Sequence, residues 1–244
     1  MTTFPIDRVV AALEQAGLLV ETTGMLPEQA ADLTDDSRQV VKQGLFLAVR
    51  GSAKDGHEFL PQAKSAGASV AIVEDTERTK LPTIVVREGR RAAAIAAAAA
   101  FDEPARQLRL AAVTGTNGKT TTVSILRHLL DRPDARSASI GTLGALLGSE
   151  GVPVGSGVSL TTPGPVELQR TLRALVDRGV RTVAMELSSH SLDQRRGETL
   201  VFEAGVFTNL TRDHLDYHKT MEAYLEAKAR LISQLAPRGA AVVN

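Results

Sequence analysis

The sequence predicts an α/β chain in two parts: a small α/β domain, then a domain with a mostly parallel sheet built around a glycine-loop phosphate cradle. Three observations predict this. Strand-like apolar runs alternate with amphipathic helical runs along the chain, the pattern of α/β folds. Residues 110–130, LAAVTGTNGKTTTVSILRHLL, read as strand, glycine loop and helix. Residues 102–107, DEPARQ, are polar, carry a proline and precede that strand. They read as a boundary between domains 1–106 and 107–244.

In the first domain, residues 5–17 place Ile6, Val9, Val10, Leu13 and Ala16 on one helical face, with Gly17 as a stop. Asp35-Asp36-Ser37-Arg38 is polar and, by itself, reads as a turn or helix cap. Strands are expected at 44–49, 69–73 and 83–86, with helices at 58–66 and 90–101. The near-pure alanine run 92–100 is too short to span a bilayer and reads as a packed helix.

In the second domain, Gly115 and Gly118 permit close backbone approach and positive φ. Lys119 is placed to reach phosphates, and Thr120 offers a hydroxyl to Mg2+. The full pattern G-x-x-x-x-G-K-[ST] is not met, because its first glycine falls on Val113. A short strand at 138–140 and a glycine- and serine-rich stretch at 149–157 follow; the latter reads as a mobile loop. Pro165 suits the first turn of a helix whose apolar face is Val166, Leu168, Leu172, Leu175 and Val176, with Gly179 ending it. Residues 180–187 read as a buried strand with Glu186 near its end. A carboxylate there is the usual second metal anchor of a nucleotide site, although Asp is the commoner residue.

Residues 203–209 read as a further strand, followed by Asp213, His214, Asp216 and His218. From spacing alone this cluster is either a metal site or a hydrogen-bonded loop that caps the next helix. The absence of thiolates and the abundance of oxygen donors favour Mg2+ over Zn2+. The next helix, capped by Thr220, carries a stripe of Met221, Tyr224, Leu225, Leu231, Ile232 and Leu235. Lys228 falls where that stripe calls for an apolar residue. It is either a snorkelling lysine or an amine held in a site with lowered pKa. Residues 240–243 look like a core strand.

Composition narrows the partners. Of 244 residues 43% are hydrophobic, enough for sizeable cores. Lys and Arg total 28, as do Asp and Glu, so no chain-wide basic footprint for nucleic acid exists. Aromatics at 3% argue against base-stacking surfaces. There is no cysteine, which excludes disulfides and fits a cytoplasmic location. The N-terminus shows no basic segment followed by an apolar one, so neither a leader nor a membrane partner is expected.

Taken together, the motifs resemble those of the Mur ligase family. They are DSR at 36–38, GTNGKTTT at 115–122, TTPGP at 161–165, ELSSHSLDQRR at 186–196, NLTRDHLDYH at 209–218 and EAKARL at 226–231, in the family's order. The resemblance implies a UDP-binding front domain and a central ATPase domain. It implies an ATP-dependent amide ligase adding the third amino acid to UDP-MurNAc-L-Ala-D-Glu through an acyl phosphate, in peptidoglycan precursor synthesis. Residues carry over by position: Gly115, Thr116, Asn117, Gly118, Lys119, Thr120 and Thr121 for ATP; Thr120 and Glu186 for one Mg2+; His214 and a carbamylated Lys228 for a second. Asp35, Ser37, Ser52, Ala53 and Lys54 would hold the uridine diphosphate end. Thr161, Thr162, Ser188, Gln194 and Arg196 would contact the muramoyl-peptide. Lys119, Lys228, His214 and Glu186 would carry the chemistry.

Family members continue through a third, amino-acid-receiving domain. The resemblance therefore reads 1–244 as the front part of such an enzyme, lacking ligase activity by itself. Two other readings remain: a folylpolyglutamate-synthetase-like ligase, which the front domain disfavours, and a nucleotide-binding module that makes no amide.

Overall fold

The computed structural model describes residues 3–51, 54–76, 79–155 and 160–244. The chain divides into two units, Met1–Glu103 and Pro104–Asn244.

The first unit contains β1 (Phe4–Pro5), α1 (Ile6–Gln15), β2 (Leu19–Thr23), β3 (Gln29–Ala30), β4 (Leu33–Thr34), β5 (Gly44–Leu47), α2 (Leu60–Ala66), β6 (Ala68–Val73), β7 (Thr83–Val86) and α3 (Gly89–Ala100). Its main sheet runs β2-β7-β6-β5-β4, parallel except where β2 pairs antiparallel with β7. β1 and β3 form a separate pair. α1 buries Ile6, Val9 and Leu13 and packs on α3. Alanines along α3 are buried; their small side chains let a neighbouring helix approach closely without cavities. Gly67 ends α2 at φ +109°, a conformation that suits glycine.

The second unit contains β8 (Arg109–Thr114), α4 (Lys119–Leu130), β9 (Arg136–Gly141), β10 (Gly144–Leu147), β11 (Val152–Val154), α5 (Pro165–Val176), β12 (Val180–Glu186), α6 (Ser189–Asp193), β13 (Phe202–Phe207), α7 (Leu215–His218), α8 (Met221–Ser233) and β14 (Leu235–Val243). The sheet runs β11-β10-β9-β12-β8-β13-β14. β9, β12, β8, β13 and β14 are parallel, and β10 and β11 antiparallel. One face buries Leu110, Ile140, Val183, Met185 and Phe202 with Leu168, Leu172 and Leu175 of α5. On a second cluster Val113 and Ala184 meet Val123 of α4. The carboxyl ends of β8, β12 and β13 thus lie side by side, where α/β sheets bind ligands.

Two expectations need correction. Part of the stretch read as a mobile loop is strand: Val152–Val154 pairs with β10, while residues 156 and 157 lie outside the described residues. Side chains hold this hairpin. Asp131 accepts from Ser137 N at 2.9 Å and Ser149 N at 2.7 Å, and Arg127 donates to the Gly148 and Ser149 carbonyls. The strand read at 240–243 forms as the end of β14, and its apolar residues Val242 and Val243 are exposed at the sheet edge. In α8, Leu225 and Ile232 face solvent, and the buried face is Tyr224, Ala227, Lys228 and Leu231. The offset arises because the true stripe runs i, i+3, i+4, i+7 from Tyr224.

Candidate functional site

The site grows from the turn after β8. Gly115 takes φ +140° and Gly118 +84°. A Cβ at Gly115 would collide with Thr208 Oγ1 and press on Asn209 backbone, so only glycine fits. Thr208 in turn donates to the Asn117 carbonyl at 2.6 Å. The cradle is not wholly open. Thr116 N donates to the Asn209 carbonyl at 3.0 Å, and Asn117 N to Asn209 Oδ1 at 3.0 Å. Two of the N–H groups expected to face a phosphate therefore pair with Asn209, far along the sequence. Thr116 Oγ1 accepts from Thr211 N at 2.9 Å and lies 3.2 Å from Tyr224 Oη. Thr120 and Thr121 sit in the first turn of α4, half-buried and exposed respectively.

Two lysines converge on one carbonyl. Lys119 Nζ donates to Gly115 O and Thr116 O, each at 2.9 Å. Lys228, only 1% exposed, donates to Gly115 O at 2.8 Å. Its ammonium also lies 4.4 Å from the Tyr224 ring centroid, a cation–π contact. Burial, then the neighbouring Lys119 charge, pushes the Lys228 amine down to about 7. Burial also lowers Lys119, opposed by Glu186 and Asp213. A desolvated amine beside a like charge is the arrangement that yields a neutral, nucleophilic lysine near neutral pH.

Glu186, 1% exposed, ends β12. Its Oε1 accepts from Thr142 N at 2.9 Å and its Oε2 from Thr142 Oγ1 at 3.2 Å. Gly141 leaves room for this carboxylate, since a Cβ there would force the Glu186 side chain to shift. Thr142 Oγ1 also lies 3.2 Å from Thr161 Oγ1. Thr162, fully buried, donates to the Glu186 carbonyl at 2.9 Å and accepts from Ser188 N at 3.1 Å. Ser188 caps α6 by accepting from Ser191 N. Arg196 donates to the Thr162 carbonyl at 2.6 Å and through Nε and Nη2 to Gln194 Oε1 at 3.1 and 2.8 Å. Thr161, Thr162, Ser188, Gln194, Arg196 and Glu186 thus belong to one hydrogen-bonded region.

His214 sits at φ +52°, its side chain 43% exposed, with Nε2 3.7 Å from Asp213 Oδ2. Its ring contacts His190 at 4.9 Å and Tyr224 at 6.0 Å between centroids. Burial first, then neighbouring imidazoles, lowers His190; burial also lowers His218.

In the first unit, Ser37 is 7% exposed and donates to Gln62 Oε1 at 2.9 Å. Asp36, clamped by the Arg38 side chain, is held down at about 2. Asp35 is exposed. Lys54 is exposed too, its ammonium 5.9 Å from the Phe59 ring centroid. Ser52 and Ala53 lie outside the described residues. Sequence reading missed Gln62, Thr142, Asn209 and Tyr224 as members of the site. Asn209 stood inside a quoted motif and Tyr224 on the helical stripe, but nothing quoted from the sequence marked Gln62 or Thr142.

A parallel strand, a glycine turn and a helix opening with lysine and threonine define the class of nucleotide-phosphate-binding α/β domains. Comparison with known proteins narrows this. The family model described as Mur ligase middle domain matches residues 113–244, and that described as Mur ligase family, catalytic domain, matches 32–115. The chain belongs to the Mur ligase family. A Geobacter metallireducens protein named UDP-N-acetylmuramoyl-L-alanyl-D-glutamate–2,6-diaminopimelate ligase is 44% identical, over 92% of this chain and 45% of its own. A Bradyrhizobium diazoefficiens protein of the same name is 45% identical over 96% and 45%. A solved structure of a ligase so named superposes with TM-score 0.74 at 31% identity, covering 92% of this chain and 45% of that one. A MurF structure from Acinetobacter baumannii shares the fold at TM-score 0.69 and 22% identity, covering 99% of this chain and 48% of that one. The chain spans about 45% of the length of the relatives it matches.

Proposed function

We propose that this chain carries the UDP-muramoyl- and ATP-binding parts of an ATP-dependent amide ligase. The ligase joins an amino acid to the D-glutamate carboxylate of UDP-MurNAc-L-Ala-D-Glu in peptidoglycan precursor synthesis; 2,6-diaminopimelate is the amino acid in its relatives' names. The observation that carries this reading is the meeting of Lys119 and Lys228 on the Gly115 carbonyl, across 113 residues of sequence. A phosphate cradle alone does not require a second, desolvated lysine.

In this reading the cradle turn and the start of α4 bind the triphosphate. Lys119 leaves its loop carbonyls for phosphate oxygens and offsets charge as the γ-phosphoryl group moves to the carboxylate, giving an acyl phosphate. The amine of the incoming amino acid then attacks, releasing phosphate. Gln194 and Arg196 hold the muramoyl-peptide so that its carboxylate faces the phosphate. Ser37 and Lys54, with Asp35, Ser52 and Ala53, take the uridine diphosphate end.

The oxygen donors suit a hard cation: the Thr120 hydroxyl, the buried Glu186 carboxylate, and Lys228 once its neutral amine adds CO2 and releases a proton to become a carbamate; His214 would add an imidazole, a less usual ligand for such an ion. Among the described residues no three His, Asp or Glu side chains form a ready-made metal centre. A divalent ion here would complete its shell with phosphate oxygens and water, as Mg2+ commonly does. Bound there, Mg2+ would neutralise phosphate charge. A carbamate on Lys228 would also turn its repulsion with Lys119 into attraction.

Ligand-dependent melting tests the reading. Separate additions of Mg-ATP and of UDP-MurNAc-L-Ala-D-Glu are expected to raise the melting temperature. A response to nucleotide alone would overturn it in favour of a binding module.

A further inference from the structure

Tyr217 lies outside the machinery described so far, yet its hydroxyl joins two parts of it. It donates to Asp193 Oδ2 at 2.8 Å and accepts from Gln194 Nε2 at 3.4 Å. This fixes which way the Gln194 amide faces, since its NH2 turns to the tyrosine and its oxygen to Arg196. The Gln194 oxygen then takes Arg196 Nε and Nη2, and the Thr162 carbonyl takes Nη1. The plane and direction of a guanidinium are thereby set. Asp193 is steadied on its other side by Arg230, whose Nη1 lies 3.4 Å from Oδ1 and 3.1 Å from the Asp193 carbonyl. The Tyr217 ring is wedged between His190, at 4.2 Å, and His218, at 4.8 Å.

We propose that Tyr217 and Asp193 are positioning residues that aim Arg196, through Gln194, at a carboxylate of the bound muramoyl-peptide. The inference rests on the reading of Gln194 and Arg196 as peptide contacts. A planar guanidinium binds a carboxylate well only when its plane matches that of the ligand. A side chain held at three N–H positions meets the ligand without losing that freedom on binding. The ligand class is therefore an anionic peptide attached to the sugar nucleotide, not the sugar nucleotide itself.

Tyr217→Phe keeps the ring between the imidazoles and removes only the hydroxyl; Asp193→Asn keeps shape and removes charge. Calorimetric titration of the 244-residue chain with UDP-MurNAc-L-Ala-D-Glu and with UDP-MurNAc separates the possibilities. The expected result is about fivefold to tenfold weaker binding of the dipeptide ligand by each variant, with UDP-MurNAc affinity and melting temperature unchanged. Variants that bind both ligands as the parent does, lose both equally, or both fail to fold would overturn the proposal. A parent chain that binds the two ligands equally would instead overturn the reading of Arg196 itself.

Discussion

His57 in the first unit and Lys228 in the second are both about 1% exposed, yet they are treated in opposite ways. His57 Nε2 accepts from Glu74 N at 2.9 Å, so Nδ1 bears the proton and donates to Asp55 Oδ1 at 2.6 Å. Both nitrogens are satisfied within the unit. Glu74 in turn accepts from Arg50 N and from Gly89 N at the start of α3. This is a polar group that holds a fold together. Lys228 has one carbonyl and one ring face beneath it, with a second ammonium nearby. The comparison teaches that burial alone does not mark a site. A buried charge whose environment disfavours it does.

The comparison breaks most sharply at the cradle. Gly115→Ala is expected to cost about 3 kcal/mol or more, from strained backbone plus overlap with Thr208. Gly118→Ala, whose Cβ would meet Thr208 only at an ordinary 4.0 Å, is expected to cost about 1 kcal/mol. Thermal denaturation reads both, and equal costs would refute the packing argument. Next comes His57→Leu. It leaves the Glu74 N–H without its acceptor and takes the imidazole donor from the Asp55 carboxylate, which keeps the backbone N–H of residue 57, and an expected loss of about 2–4 kcal/mol follows. A neutral outcome would make His57 dispensable to the fold.

Lys228→Met should act in the other direction, stabilising the chain by about 1–3 kcal/mol at pH 6. The pH dependence has a definite sign. The amine ionises near 10.5 in the unfolded chain and about 7 in the folded one. Between those values the unfolded state binds the extra proton, so parent stability rises from pH 7 to 10.5. Denaturant unfolding across that range should show a larger rise in the parent than in Lys228→Met, which keeps the lowered Lys119 amine. The smallest effect belongs to Asp36→Asn. Arg38 holds Asp36 at about 2 against an ordinary 3.8. Its contribution, under about 1 kcal/mol for so open a pair, is present above pH 3.8 and lost as pH falls through 2.

What the sequence made legible was local. The glycine turn, its flanking strand and helix, Thr220 as a cap and the misfit of Lys228 all follow from neighbours within two helical turns. What stayed hidden was long-range. Arg127 and Asp131 reach across about twenty residues to shape the β10–β11 hairpin. Asn209 closes two cradle N–H groups, and Gln62 meets Ser37 from 25 residues away. None of these contacts leaves a periodic trace in composition.

The central claim is that Lys228 is a desolvated amine at the phosphate cradle. NMR titration of its side chain, assigned by its loss in Lys228→Met, tests it directly. The account predicts a protonation midpoint near 7, well below the ordinary lysine range. A midpoint near 10.5, the ordinary lysine value, would contradict it.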